Sequence, residues 1–157
     1  MILNSKILGA DEKKIIILHG FLGSLDNWVT FAKKLSNNGY EVHLIDQRNH
    51  GKSFHSDDFN YELMANDLYK YLYEKNINKT SILGHSMGGK TAMLYSLMYP
   101  DTINKLIVVD ILPVNYNTNY DEIFRALLEI DLKEIKSRND FNIHLNKHFD
   151  DPNFILF

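Results

Sequence analysis

The chain has 157 residues, enough to bury a core and of the size of one ordinary domain. It is 45% hydrophobic and 24% charged with a net charge of −3, so it offers no basic surface to draw nucleic acid or an anionic membrane. It has no cysteine, which excludes disulfides and thiolate zinc sites, and neither a signal-peptide run nor an apolar stretch long enough to span a membrane. The expectation is a soluble cytoplasmic protein.

The first ten residues predict an edge strand or a hairpin. Ile15 to Leu18 is a short, β-branched run suited to a buried parallel strand, and His19-Gly20-Phe21-Leu22-Gly23 follows it. Residues 27–37 predict a helix with Trp28, Phe31 and Leu35 on one face, ending before Gly39. Val42 to Ile45 predicts the next strand, followed by the polar turn Asp46 to Ser53. Asn60 is suited to cap a helix whose stripe is Met64, Leu68, Tyr71 and Leu72. Ser81 to Leu83 predicts a fourth strand, and Lys90 to Tyr99 a helix stopped by Pro100. Leu106 to Val109 predicts another buried strand, closed by Asp110.

The character changes after Pro113. Asn115 to Asn119 is a polar loop. Ile123, Phe124, Leu127 and Leu128 predict one amphipathic helix, and Phe141, Leu145 and Phe149 a second, before Asp151-Pro152 breaks the chain ahead of Phe154 to Phe157. Strands alternating with helices indicate a parallel, doubly wound α/β sheet. Its sites lie beyond the carboxyl ends of the strands, where His19, Ser86 and Asp110 all fall. Residues 1–114 read as this core and 115–157 as the start of an incomplete helical cap.

Between the fourth strand and its helix stands Gly84-His85-Ser86-Met87-Gly88. Strand, tight turn through a serine, then helix is the setting of a nucleophile elbow. A serine hydroxyl needs a base to take its proton and donors to hold the developing oxyanion. The Met87 N–H, at a helix N-terminus, is one candidate donor. The Phe21 N–H in the loop after the first parallel strand is the other, with His19 expected to brace that loop by hydrogen bonding. Asp46 to Ser53 reads as a structural turn in which Asp46 and Arg48 bond the backbone and each other. Asp110 is suited either to orient a catalytic histidine or to close a turn.

The base is the gap. The histidines stand at 19, 43, 50, 55, 85, 144 and 148. None matches a late loop in the order Ser, Asp, His. His85 is expected to point away from Ser86. His144 and His148 share a helical face with no acidic or third ligand, which reads as a solvated surface and not a metal site. No metal or organic cofactor is expected.

These segments, together with Val109 to Pro113 and Asp121 to Phe124, resemble the α/β-hydrolase superfamily, and more closely the bacterial YbfF-type esterases, relatives of abhydrolase domain-containing protein 11. The resemblance implies an esterase or thioesterase with a helical cap, acting on a small-molecule acyl ester or thioester. It implies Ser86 as nucleophile, Phe21 and Met87 as oxyanion donors, and Asp110 as the acid after the sixth strand. The family fold has eight strands and places its histidine beyond the last. This chain reads as about strands one to six plus part of the cap, ending 71 residues after Ser86. The expected consequences are a nearly inert Ser86 and an uncovered sheet edge at Leu106–Val109, open to self-association. Lyases and cofactor-free haloperoxidases of the superfamily carry the same serine motif, and a non-catalytic binding protein on this scaffold is a further alternative. A dehalogenase is disfavoured, because it needs a carboxylate where Ser86 stands.

Overall fold

The apolar runs build one sheet. In the computed structural model, which describes residues 2–114, 121–131 and 133–145, the strands are β1 (Ser5–Leu8), β2 (Lys14–Leu18), β3 (Glu41–Ile45), β4 (Thr80–His85) and β5 (Ile103–Val109). Their order is β1-β3-β2-β4-β5. Only β1 runs antiparallel, against β3, while the remaining pairs are parallel. The helices are α1 (Val29–Ser36), α2 (Tyr61–Glu74), α3 (Met87–Met98), α4 (Asp121–Leu128) and α5 (Arg138–Leu145). The chain divides into two compact units, Met1–Pro113 and Val114–Phe157.

In the first unit the continuous apolar strands cover both sheet faces at once. Successive strand side chains point to opposite sides, so each run is dealt out between two cores. Ile16, Leu18, Ile45 and Ile82 pack with Ala65, Leu68, Tyr71 and Leu72 of α2 and Ala92 and Tyr95 of α3. Ile15, Ile17, Val42, Leu44 and Leu83 pack with Leu25 and Ala32, the latter on α1. Cross-strand register places Ile16 beside His43 and Ile82, and Ile17 beside Leu44 and Leu83.

Local chemistry sets the helix starts. Asn60 is extended, and its side chain accepts the Leu63 N–H at 2.8 Å, opening α2 with the expected stripe buried. The segment expected as one helix over 27–37 begins instead as a 3₁₀ turn, Leu25–Trp28, because the Asn27 side chain accepts the Ser24 N–H and tightens the entry. Trp28 and Leu35 pack on the core, but Phe31 remains 40% exposed. The first ten residues supply a single strand and no hairpin, so five strands are described where about six were expected. Leu106–Val109, whose composition predicted a buried strand but which the resemblance implied would be an uncovered edge, lies in the last strand of the order, and Leu106 and Ile107 are 36% and 40% exposed.

In the second unit, α4 carries Phe124 and Leu127, while Leu128, expected on the apolar face, is almost fully exposed. Ser137 Oγ accepts the Asp140 N–H at the start of α5. Phe149, residues 115–119 and the segment from 151 onward lie outside the described residues. No helix among the described residues is long and apolar enough to cross a membrane.

Arg48 departs from expectation. It does not pair with Asp46. Its Nε donates to Asp67 Oδ2 of α2 at 2.6 Å, its Nη1 donates to the Asp58 carbonyl at 2.6 Å, and its guanidinium lies 5.5 Å from the Phe54 ring centre. Both charged side chains are at least nine-tenths buried. Removing one partner leaves an uncompensated buried charge, so Asp67→Ala is expected to lower unfolding free energy by about 3–5 kcal/mol. The double replacement Arg48→Met with Asp67→Leu should cost far less, as read by urea denaturation of all three proteins.

Candidate active site

The turn at Ser86 is strained. Its φ of 50° and ψ of −116° are unfavourable for a residue with a Cβ. Both ends of the bend are tied. The Ser86 N–H donates to the Val109 carbonyl at 3.0 Å, and its carbonyl accepts the Lys90 N–H at 3.1 Å. The backbones around it approach too closely for side chains. A Cβ on Gly84 would lie 2.2 Å from the Gly88 oxygen, and one on Gly88 would lie 2.6 Å from the oxygens of both Leu18 and His19. These contacts press the start of α3 onto β4 and β2, with Met87 buried in its first turn, where N–H groups lack intrahelical acceptors.

The loop after β2 runs beside this bend. A Cβ on Gly20 would stand 3.3 Å from Ser86 Cβ and 2.9 Å from His85 Nδ1. Gly23 N–H donates to the Gly20 carbonyl at 3.1 Å, and Leu22 between them has a φ of 58°. The loop is tied to the turn after β3 at four points. Gln47 N–H donates to His19 Nε2 at 3.1 Å, and Gln47 Nε2 donates to the His19 carbonyl at 2.8 Å. Leu22 N–H donates to His50 Nε2 at 3.3 Å, and Leu25 N–H donates to Asp46 Oδ1 at 2.7 Å. The other carboxylate oxygen of Asp46 accepts from Asn4 Nδ2 and the Lys52 N–H. Gly51, at φ 55°, leaves room for this, since a Cβ there would lie 2.2 Å from Asp46 Cγ. Asp46 is thus a hub for backbone donors, as its turn position suggested, though Arg48 turns elsewhere.

His19 is occupied as a brace. Its Nδ1 donates to the Gly20 carbonyl at 2.8 Å while Nε2 accepts from Gln47, which fixes the neutral tautomer with the proton on Nδ1. Burial holds its pKa below the ordinary value, outweighing the favourable Gly20 contact. His43 is committed likewise, to the Tyr71 hydroxyl and to Glu41, and burial lowers its pKa as well. Asp110 follows β5 with a φ of 55° and an 81% exposed side chain. His85 and Val109 are register partners, so Ser86 and Asp110 leave adjacent strands side by side. Asp110 Oδ2 comes within 3.8 Å of His85 Nε2, and the His85 ring packs 6.0 Å from Trp28. Among the described residues, no histidine nitrogen hydrogen-bonds the Ser86 hydroxyl. The His85–Asp110 approach and the Leu22–His50 contact were not foreseen, since each depends on the fold and not on local spacing.

Two outcomes follow from this geometry. His19 and His43 are kept neutral in the fold and bind a proton more readily once unfolded. Their contribution to stability is therefore full above the ordinary value of 6.5 and is lost as pH falls from there through their depressed folded values. Urea midpoints measured at about pH 7.5 and about pH 5.5 should drop toward acid. Separately, Gly84→Ala should destabilise by about 3 kcal/mol or more, because its Cβ meets fixed backbone. Gly39→Ala, whose Cβ would meet only Asp11 Oδ1 at 4.0 Å, should cost about 1 kcal/mol through its φ of 81°. Equal losses at the two positions in the same urea assay would contradict the close approach.

Comparison with known proteins agrees with this geometry. A family model described as alpha/beta hydrolase fold matches residues 13–143. The chain is 36% identical over 148 residues to Esterase YbfF of Escherichia coli, covering 94% of this chain and 58% of that protein. It is 41% identical over 123 residues to the sn-1-specific diacylglycerol lipase ABHD11 of Danio rerio, covering 76% of this chain and 39% of that protein. Among solved structures, a marine microorganism esterase superposes with a TM-score of 0.89 at 41% identity, over 99% of this chain and 61% of its own. The chain thus spans about half the length of the curated relatives it matches. It belongs to the alpha/beta hydrolase fold family.

Proposed function

We propose that this chain carries the nucleophile and oxyanion site of a cytoplasmic serine hydrolase acting on carboxylic esters or acyl thioesters. The observation that supports it most is the strained Ser86 bend with the Gly20 loop packed against it. The esterase and lipase names of its relatives point the same way.

In this reading Ser86 Oγ attacks the acyl carbonyl carbon and gives its proton to a base. The Phe21 and Met87 N–H groups hold the oxyanion. Collapse expels the alcohol or thiol and leaves an acyl-enzyme on Ser86, which water hydrolyses to release the acid. Asp110 orients the imidazole that serves as base. His19 and His43 are excluded from that role because hydrogen bonds occupy both ring nitrogens of each. We assign the base to a histidine beyond this chain, in the part of the relatives' length that it does not span. Residues 1–114 form the hydrolase core and 115–157 begin a helical cap.

A serine hydrolase deprived of its histidine loses turnover by about 10⁶-fold. The 157-residue polypeptide should therefore take a fluorophosphonate slowly, at Ser86 alone, and hydrolyse p-nitrophenyl butyrate close to background. Ser86→Ala should abolish the adduct. An adduct at another residue, or none even in a longer form that carries that histidine, would reject the hydrolase reading, whereas rapid turnover by the 157 residues would show that the base lies within them.

A further inference from the structure

We propose that His50 is a positioning residue for the oxyanion loop, its Nε2 holding the Leu22 N–H so that the preceding Phe21 N–H faces Ser86. This rests on the reading of Phe21 as an oxyanion donor. Leu22 has a φ of 58°, a conformation that costs an L-residue roughly 1–2 kcal/mol, and its side chain is 59% exposed, so packing does not enforce it. It sits inside the Gly20–Gly23 turn, and the contact that its own N–H makes is the 3.3 Å hydrogen bond to His50.

His50 is built to accept and not to donate there. Its Nδ1 lies 2.9 Å from the Arg48 carbonyl, which can only accept, so the proton sits on Nδ1 and the Nε2 lone pair faces Leu22. The ring is buried and lies 5.1 Å from His19 and 5.9 Å from Phe21, centre to centre. Its backbone is fixed by a turn flanked on both sides by left-handed residues, Asn49 at φ 64° and Gly51 at φ 55°. Asn49 in turn exchanges two side-chain hydrogen bonds with the Ser56 backbone. The Arg48 carbonyl that selects the tautomer belongs to the residue clamped by Asp67 of α2. A rigid path thus runs from α2 through the turn after β3 to the amide beside the nucleophile. The motif Asp46 to Ser53 acquires a role that the hydrolase reading had left empty.

The test has one arm that needs no reactivity and one that does. In the 157-residue protein labelled with ¹⁵N-histidine, long-range imidazole spectra at neutral pH should show His50 protonated on Nδ1 and bare on Nε2. Amide exchange at Leu22 should quicken in His50→Leu but not in His50→Gln, whose Oε1 can accept the same N–H, while exchange at Leu18 in the central strand stays as in the parent. With fluorophosphonate, His50→Leu should lower the maximal labelling rate about 10–100-fold with little change in half-saturating concentration, and His50→Gln should recover most of it. If His50→Leu does not fold, the tautomer and the His50→Gln comparison decide. A proton on Nε2, or parental Leu22 exchange and labelling rate in His50→Leu, overturns the proposal. Failure of Ser86 to react in any variant bears on the hydrolase reading alone, and the tautomer and Leu22 exchange still decide the clasp.

Discussion

A serine held where a side chain does not belong organises this protein. The Ser86 backbone sits in a region that L-residues avoid, at a cost of roughly 1–3 kcal/mol that the surroundings must offset. They do so by contact of main chain with main chain. Gly84 and Gly88 let β4, α3 and β2 meet at distances no Cβ would tolerate, and Gly20 lets the loop after β2 lie against the His85 and Ser86 side chains. The ladder bond to Val109 and the helical bond from Lys90 then leave the bend no cheaper arrangement. β2 and β5 flank β4 in the sheet, which brings the loop after β2 and Asp110 to the end of β4 where Ser86 stands.

A second layer of constraint lies in the turn after β3. Asp46 and His50 each fasten one point of the loop beside Ser86 and Gln47 fastens two, with different chemistries: a carboxylate for an amide, an imidazole for an amide, and an amide side chain and a backbone N–H for the carbonyl and ring of His19. The loop is therefore shaped less by its own sequence than by a segment 28 residues away. Buried neutral imidazoles suit this work because one ring can donate on one side and accept on the other without carrying charge. The Gln47 Oε1 atom is buried with no partner among the described residues, the one polar atom of this clasp left over.

Much of this was legible in the sequence, and the reasons are specific. The runs Ile15–Leu18 and Val42–Ile45 are too short for helices and too uniformly apolar for a one-sided strand, so burial on both faces was the natural reading. The serine motif was legible because glycine spacing reports backbone approach directly. What escaped was set by partners distant in the chain. Arg48 had Asp46 close in sequence, yet Asp46 was already saturated by backbone amides, and Asp67 of α2 offered a buried carboxylate. Leu106 and Ile107 read as buried from composition, which does not tell a central strand from a terminal one, and only the resemblance pointed to an edge there. Leucine propensity alone would not place Leu22 at positive φ, which it adopts inside the Gly20–Gly23 turn with its N–H on a histidine of another loop.

The partition of β2 between two cores separates neighbours that look equivalent in the sequence. Ile16 and Ile17 are adjacent and both almost fully buried, yet one is sensed by α2 and α3 and the other by α1. Ile16 shares its layer instead with Ile82, its partner on the adjoining strand. Damage at two touching links of the chain would therefore sum independently, whereas damage at 16 and 82, sixty-six positions apart, would be felt jointly through one shared void.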